Sequence, residues 1–165
     1  AIVGAGGKSG LLCLWHAKKQ VGPSGRVIAL EAGEEACETI RSLALADEVI
    51  RVDATRPVEV LEKVERSTGG QLADVTINCV NVPDTELSSI LATRDGGTVY
   101  FFSTAVRFTA AALGAEGVGK DVSMMIGNGY APGHAELALE TLRRSPALRR
   151  LFEDRYARKE RHPTV

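Results

Sequence analysis

The first ten residues, AIVGAGGKSG, constrain the fold more than any other stretch of the chain. A short apolar strand runs into a glycine cluster, and Leu11-Leu12-Cys13-Leu14-Trp15 opens a helix directly behind it. Glycines at such a junction let the backbone turn sharply and approach a diphosphate, whose charge is met by amides at the helix start. A second apolar run, Arg26-Val27-Ile28-Ala29-Leu30, ends about twenty residues later at Glu31, where a carboxylate can accept hydrogen bonds from a ribose diol.

The same alternation continues to the end. Strands are expected over 1–3, 26–30, 48–52, 75–79, 98–102 and 122–126, most of them nearly continuous apolar runs of the kind buried on both faces of a parallel sheet. Helices are expected over 9–21, 34–43, 57–68, 85–92 and 108–114, then 133–145 and 146–158. Pro57 suits a first helical position, Gly69-Gly70 stops that helix, and Arg94-Asp95-Gly96-Gly97 reads as a turn feeding a strand. Strands separated by helices predict an α/β fold, a doubly wound six-stranded parallel sheet of Rossmann type in the order 3-2-1-4-5-6. Right-handed crossovers then bring the carboxyl ends of all strands to one edge. Residues 1–158 are expected to form this domain with its first strand cut short, and 159–165 to be a tail leading toward a catalytic domain outside the chain.

A length of 165 residues suits one domain, and 44% hydrophobic with 25% charged residues is ordinary for a globular protein. The net charge of −1 offers no general attraction to nucleic acid or an anionic membrane, and no apolar run nears the roughly 20 residues of a membrane helix. Cys13, Cys37 and Cys79 are odd in number and lack metal-ligand spacing, so they read as reduced core thiols in a cytoplasmic protein.

Function then lies in the residues just past the end of each strand. Gly4, Gly6, Gly7 and Gly10 are spaced one residue longer than the usual dinucleotide fingerprint. Ser9 stands where a third glycine is expected; it is small enough for close helix–strand packing, and its hydroxyl can meet a phosphate. Lys8 reads as a solvated turn residue within reach of the phosphates. Gly7-Lys8-Ser9 also invites a phosphate-loop NTPase reading, but that motif needs a glycine where Ile2 stands. Glu31 is followed by Glu34 and Glu35, a charge pattern that repels a 2′-phosphate and favours NAD over NADP. Asp53 and Ala54 follow the third strand, where the aspartate can take an adenine amino group or cap the helix at Pro57. Cys79, Val80 and Asn81, then Ser103 and Thr104, then Gly127 and Asn128 come after the remaining strands and line the groove for ribose and nicotinamide. His134 is a candidate for the rim of an active site; His16 and His162 read as packed or solvated, and the arginines at 143, 144, 149 and 150 as an exposed helix face.

The segments GAGGKSG (4–10), NCVNVP (78–83), TRDGGTVYFFS (93–103) and FTAAALGAEGVGKDVSMMIGNGYAPGHAE (108–136) resemble those of the L-erythro-3,5-diaminohexanoate dehydrogenase family. Its members are similar to medium-chain, alcohol-dehydrogenase-like reductases, in which a cofactor domain is inserted late in a catalytic domain. The resemblance implies NAD-dependent oxidative deamination to 5-amino-3-oxohexanoate in lysine fermentation, acting on a small amino-acid substrate. No catalytic residue and no metal ligand are assigned, and the chain alone is expected to bind NADH weakly without turnover. Two rival readings remain: an S-adenosylmethionine-dependent methyltransferase, with Glu31 on the ribose and Asp53 on adenine, and a non-catalytic cofactor-sensing domain. The last strand is a candidate edge for pairing two copies into a homodimer.

Overall fold

A computed structural model describes residues 1–103, 105–127 and 131–157. Its contacts divide the chain into two compact units, residues 1–128 and 129–165. The first unit holds β1 (Ile2–Val3), α1 (Lys8–Gln20), β2 (Ile28–Glu31), α2 (Glu34–Ser42), β3 (Glu48–Arg51), α3 (Pro57–Thr68), β4 (Ala73–Asn78), α4 (Glu86–Leu91), β5 (Thr93–Phe101), α5 (Phe108–Gly117) and β6 (Val122–Ile126). The strands form one sheet in the order β3-β2-β1-β4-β5-β6, and every pairing is parallel. The expected topology is therefore the one observed.

Residues alternate across a strand, so each β-segment feeds two layers. Val3, Ile28, Leu30, Ile50 and Val52 pack with Val60 and Val64 of α3. Farther along the sheet Val99 and Phe101 pack with Ile90 of α4 and with Ala111 and Ala115 of α5. The order reverses direction after β3, and right-handed crossovers put α1 and α2 on the opposite face. Gly10, Leu11, Leu14, Cys37 and Ile40 are the residues those helices bury. Pro57 opens α3 and Gly69, at φ 63°, closes it with its amide on the Glu65 carbonyl, as the sequence pattern predicts.

One boundary differs in kind. Strand β5 begins at Thr93, five residues before its expected start, because Thr93 already pairs with Ala73. Pairing resumes at Val75 and Thr98, so Arg94-Asp95-Gly96-Gly97 is a bulge inside the strand rather than a turn before it. Gly96 takes φ 71° there, and its amide bonds the Asp121 carbonyl.

The second unit contains α6 (His134–Arg144), α7 (Pro146–Phe152) and a π-helical turn, Glu153–Ala157, where a continuous helix to 158 was expected. Arg143 pairs with Glu136 and Glu140, Arg149 pairs with Glu153, and Phe152 meets Tyr156 edge to face at 5.5 Å. Residue 158 and the 159–165 tail, including His162, lie outside the described residues. Among the described residues no helix is long and apolar enough to cross a membrane.

Candidate functional site

The chain leaves β1 through a bend with little freedom. Gly4 takes φ 71°, and the amides of Gly4 and Ala5 both reach the Leu30 carbonyl, at 2.9 and 3.2 Å. A Cβ on Gly4 would stand 2.7 Å from Val80 Cγ2, so the end of β4 presses directly on the bend. Gly7, in extended conformation, precedes α1 without any side-chain cap, and the first turn of α1 contains no acidic residue. The positive end of the helix thus faces the bend without a carboxylate of its own.

The close helix–strand approach that the sequence offered to Ser9 falls to Gly10. A Cβ on Gly10 would overlap the Gly4 carbonyl and the Ala5 backbone, and Gly10 is buried. Ser9 is half-buried and Lys8 exposed at the start of α1. The longer spacing of the glycines is therefore real, with Gly10 packing behind the bend.

Glu31, the last residue of β2, turns its carboxylate onto this bend. Oε2 accepts from the Gly6 amide at 2.8 Å, while Oε1 accepts from the amides of Ala32 and Gly33 at 2.8 and 3.1 Å. A Cβ on Gly6 would meet Ala36 Cβ at 2.6 Å and Glu31 Oε2 at 2.9 Å, so this cradle accepts only glycine. Beside it lies a cavity of about 190 Å³, lined among others by Gly4, Glu31, Asp53, Ala54, Val80 and Val82. Predicted residues from β1, β2, β3 and β4 thus converge on one space at the point where the strand order reverses.

Asp53 Oδ1 accepts from the Thr55 amide at 2.9 Å and the Thr55 hydroxyl at 2.8 Å. The Thr55 amide, then its hydroxyl, holds the Asp53 carboxyl below the usual carboxylate range. Of the two roles expected from sequence, the helix cap is not the one seen, since Arg56 precedes α3 with no side-chain cap. Beyond β4, the Cys79 amide bonds the Val3 carbonyl at 2.8 Å, and Ser103 Oγ donates to Asn81 Oδ1 at 3.3 Å. Gly127 follows β6 with its amide on the Phe101 carbonyl, and a Cβ there would run into the Tyr100 phenol. Thr104 and Asn128 lie outside the described residues. His134 opens α6 of the second unit, with Nδ1 2.8 Å from the Ala131 carbonyl oxygen.

Three supporting roles escaped the sequence reading, including that of Asn78, expected only as one of the polar strand ends lining the groove. Asn78 is fully buried: its amide nitrogen donates to Thr85 Oγ1 and Ser89 Oγ at 3.0 and 2.9 Å, and its oxygen accepts from the Val80 amide at 2.9 Å. It therefore ties the end of β4, which presses on Gly4, to α4. Glu86, also buried, accepts from the Arg107 amide at 2.6 Å and holds the loop that enters α5. A lone polar residue closing an apolar strand was the available signal for Asn78; Glu86 looked like any helix glutamate. Arg51, from the end of β3, bonds the Ala32 carbonyl at 3.2 Å and Glu34 at 2.5 Å. Space, not sequence distance, brings this cation beside Glu31.

A parallel sheet ordered 3-2-1-4-5-6, with a glycine bend and an acid at its switch point, defines a Rossmann-type domain. The chain belongs to the zinc-binding dehydrogenase family, whose cofactor-domain pattern matches residues 10–125. It is 55% identical over 155 residues to an L-erythro-3,5-diaminohexanoate dehydrogenase of Acetoanaerobium sticklandii, and 46% identical over 156 residues to one of Fusobacterium nucleatum. Each match covers 94% of this chain and 45% of the relative, so the chain spans about half the length of these proteins. Among solved structures, zinc-dependent alcohol dehydrogenase 2 from Streptococcus pneumonia shares the fold, with a TM-score of 0.66 and 19% identity over 99% of this chain and 49% of that one. The family name carries zinc; among the described residues no group of three or more His, Cys, Asp or Glu side chains is placed to hold a metal ion.

Proposed function

We propose that this region holds NAD for the oxidative deamination of L-erythro-3,5-diaminohexanoate to 5-amino-3-oxohexanoate with release of ammonia. The observation that carries the reading is the Glu31 carboxylate fixed against the glycine bend by the Gly6 amide. The bend suits a diphosphate at Gly7, where a Cβ would have no neighbour nearer than the Gly4 carbonyl at 3.7 Å, and the first turn of α1 carries no acidic residue. Glu31 is then the acceptor for the adenosine ribose hydroxyls, and the cavity lined by Asp53, Ala54 and Val80 takes the adenine. A nicotinamide held there would supply the acceptor for the hydride on the carbon that bears the 3-amino group.

The task of these residues is to bind and orient. Asn81 and Ser103, at the ends of β4 and β5, border the groove on the side away from Glu31 and suit the second ribose and the carboxamide. Glu31, Glu34 and Glu35 set a negative field where a 2′-phosphate would lie, and Glu34 neutralises Arg51, so NAD is preferred over NADP. The high identity to two named dehydrogenases supports the substrate. No proton-transfer residue is assigned within this region. Free thiols at Cys13, Cys37 and Cys79 suit a cytoplasmic protein. The outer edge of β6, with Met125 and Ile126 about half exposed, suits pairing between two copies in a homodimer.

Titration calorimetry with NADH, NADPH and S-adenosylmethionine tests the cofactor, with binding expected for NADH and weaker or none for the other two. Formation of NADH from NAD and L-erythro-3,5-diaminohexanoate by the whole enzyme tests the reaction. Binding of S-adenosylmethionine in place of NADH would overturn the reading.

A further inference from the structure

Two of the three cysteines, 66 residues apart in sequence, meet behind the glycine bend. Cys13 lies in the second turn of α1, one turn beyond Ser9, and Cys79 immediately follows β4. The Cys79 thiol donates to Cys13 Sγ at 4.0 Å, and both residues are only partly buried, whereas Cys37 is fully buried. The backbone on either side of Cys79 is already engaged with β1 and the bend: its own amide bonds Val3, and Val80 touches the Cβ position of Gly4.

We propose that Cys13 and Cys79 form an oxidative modification site, in which a hydroperoxide converts the pair to a disulfide and weakens dinucleotide binding. The consequence for binding rests on the cofactor reading above. The two thiols are unequal. The hydrogen bond from Cys79 lowers the Cys13 thiol pKa, while donating that bond, together with burial, raises that of Cys79. Cys13 is therefore the thiolate that reacts. Its sulfur attacks one peroxide oxygen, the O–O bond breaks, and the departing oxygen takes a proton and leaves as an alcohol or water. The Cys13 sulfenic acid is then attacked by Cys79 sulfur, which loses its proton; the S–O bond breaks and the oxygen leaves as water. The peroxide is reduced by two electrons, and the two thiols supply them.

A disulfide requires about 2.05 Å between the sulfurs, so the 4.0 Å pair must close by about 2 Å. That movement draws the second turn of α1 toward the end of β4. It shifts the start of α1 and Val80 against the bend from both sides. Losing one charge-assisted amide contact to a phosphate corresponds to about a tenfold loss of affinity.

The test treats the protein with hydrogen peroxide, maps its thiols by mass spectrometry, and titrates NADH before and after, and again after dithiothreitol. The expected result is a Cys13–Cys79 linked peptide with loss of two hydrogens, a roughly tenfold weaker NADH affinity, and recovery on reduction. Cys13→Ser should abolish the linkage and the response; Cys37→Ser should keep both. Oxygen addition at cysteines without linkage, or linkage with unchanged NADH affinity, would overturn the proposal. Absence of NADH binding by the reduced protein would instead overturn the cofactor reading, and with it the claimed effect on affinity, while the linked peptide still tests the thiol pair itself.

Discussion

Gly6 and Glu31, 25 residues apart, are locked together: the Gly6 amide donates to the Glu31 carboxylate, and that carboxylate stands 2.9 Å from where a Gly6 side chain would begin. Gly6→Ala must push Glu31 or Ala36 away, at a cost of about 1–3 kcal/mol in stability. The displaced carboxylate no longer faces a ribose, so NADH affinity should fall at least about tenfold. Denaturant titration and calorimetry on the same variant check both. Unchanged NADH affinity would show that the fixed position of Glu31 is not needed for binding.

Cofactor preference should respond to two glutamates in different ways. Glu31→Gln keeps the shape but removes the charge that repels a 2′-phosphate and accepts the ribose hydroxyls. NADH affinity should drop by about tenfold and the NADH-over-NADPH ratio should shrink. Glu34→Ala leaves Glu31 in place and releases Arg51 from its carboxylate partner. NADPH affinity should rise by several-fold with little change for NADH, as measured by competitive titration. A fall in NADPH affinity would mean that Arg51 does not reach the 2′ position.

Asn78 holds more of the site than its place in the sequence suggests. Truncation to alanine leaves the Thr85 and Ser89 hydroxyls and the Val80 amide without their buried partner. The two hydroxyls keep their bonds to the Val82 and Thr85 carbonyls, whereas the Val80 amide is orphaned at about 1–3 kcal/mol, so with the lost packing Asn78→Ala should destabilise by about 2–4 kcal/mol. Because Val80 presses on Gly4, NADH affinity should weaken even where the variant is folded. A stability loss without any binding change would limit Asn78 to the core.

The topology was legible because both-faces-buried strands and capped or glycine-stopped helices leave periodic marks along the chain. Pro57 and Gly69 mark α3 to the residue. The start of β5 was not legible, because Gly96 and Gly97 look like a turn and only the pairing of Thr93 with Ala73 shows the bulge. At the site, Glu31 was readable from its position after an apolar run. The packing role of Gly10, the place of Arg51 and the Cys13–Cys79 contact were not, since each takes its meaning from a residue outside its own element. Asp53 shows a further limit: its Thr55 turn is a local choice among several that an aspartate offers.

Asp47 should contribute to acid sensitivity. One carboxylate oxygen pairs with Lys18 of α1, and the other accepts from the Val27 amide at 2.7 Å, tying the start of β2 to the turn before β3. The Lys18 hydrogen bond, then the Val27 amide, lowers the Asp47 pKa in the folded protein. The folded state thus binds this proton less readily than the unfolded chain. The stabilisation is complete above the unfolded aspartate value of about 3.9 and is lost as pH falls through that value toward the lower folded one. Asp47→Asn should cost about 1 kcal/mol at neutral pH, reduced from a fully buried pair because both side chains remain about one-third exposed. The difference from the parent protein should shrink below pH ~4, where the parent's own carboxylate is protonated. Denaturant midpoints of the two proteins across pH 3 to 7 measure this. A gap that stays constant over that range would show that Asp47 stabilises by shape rather than by charge.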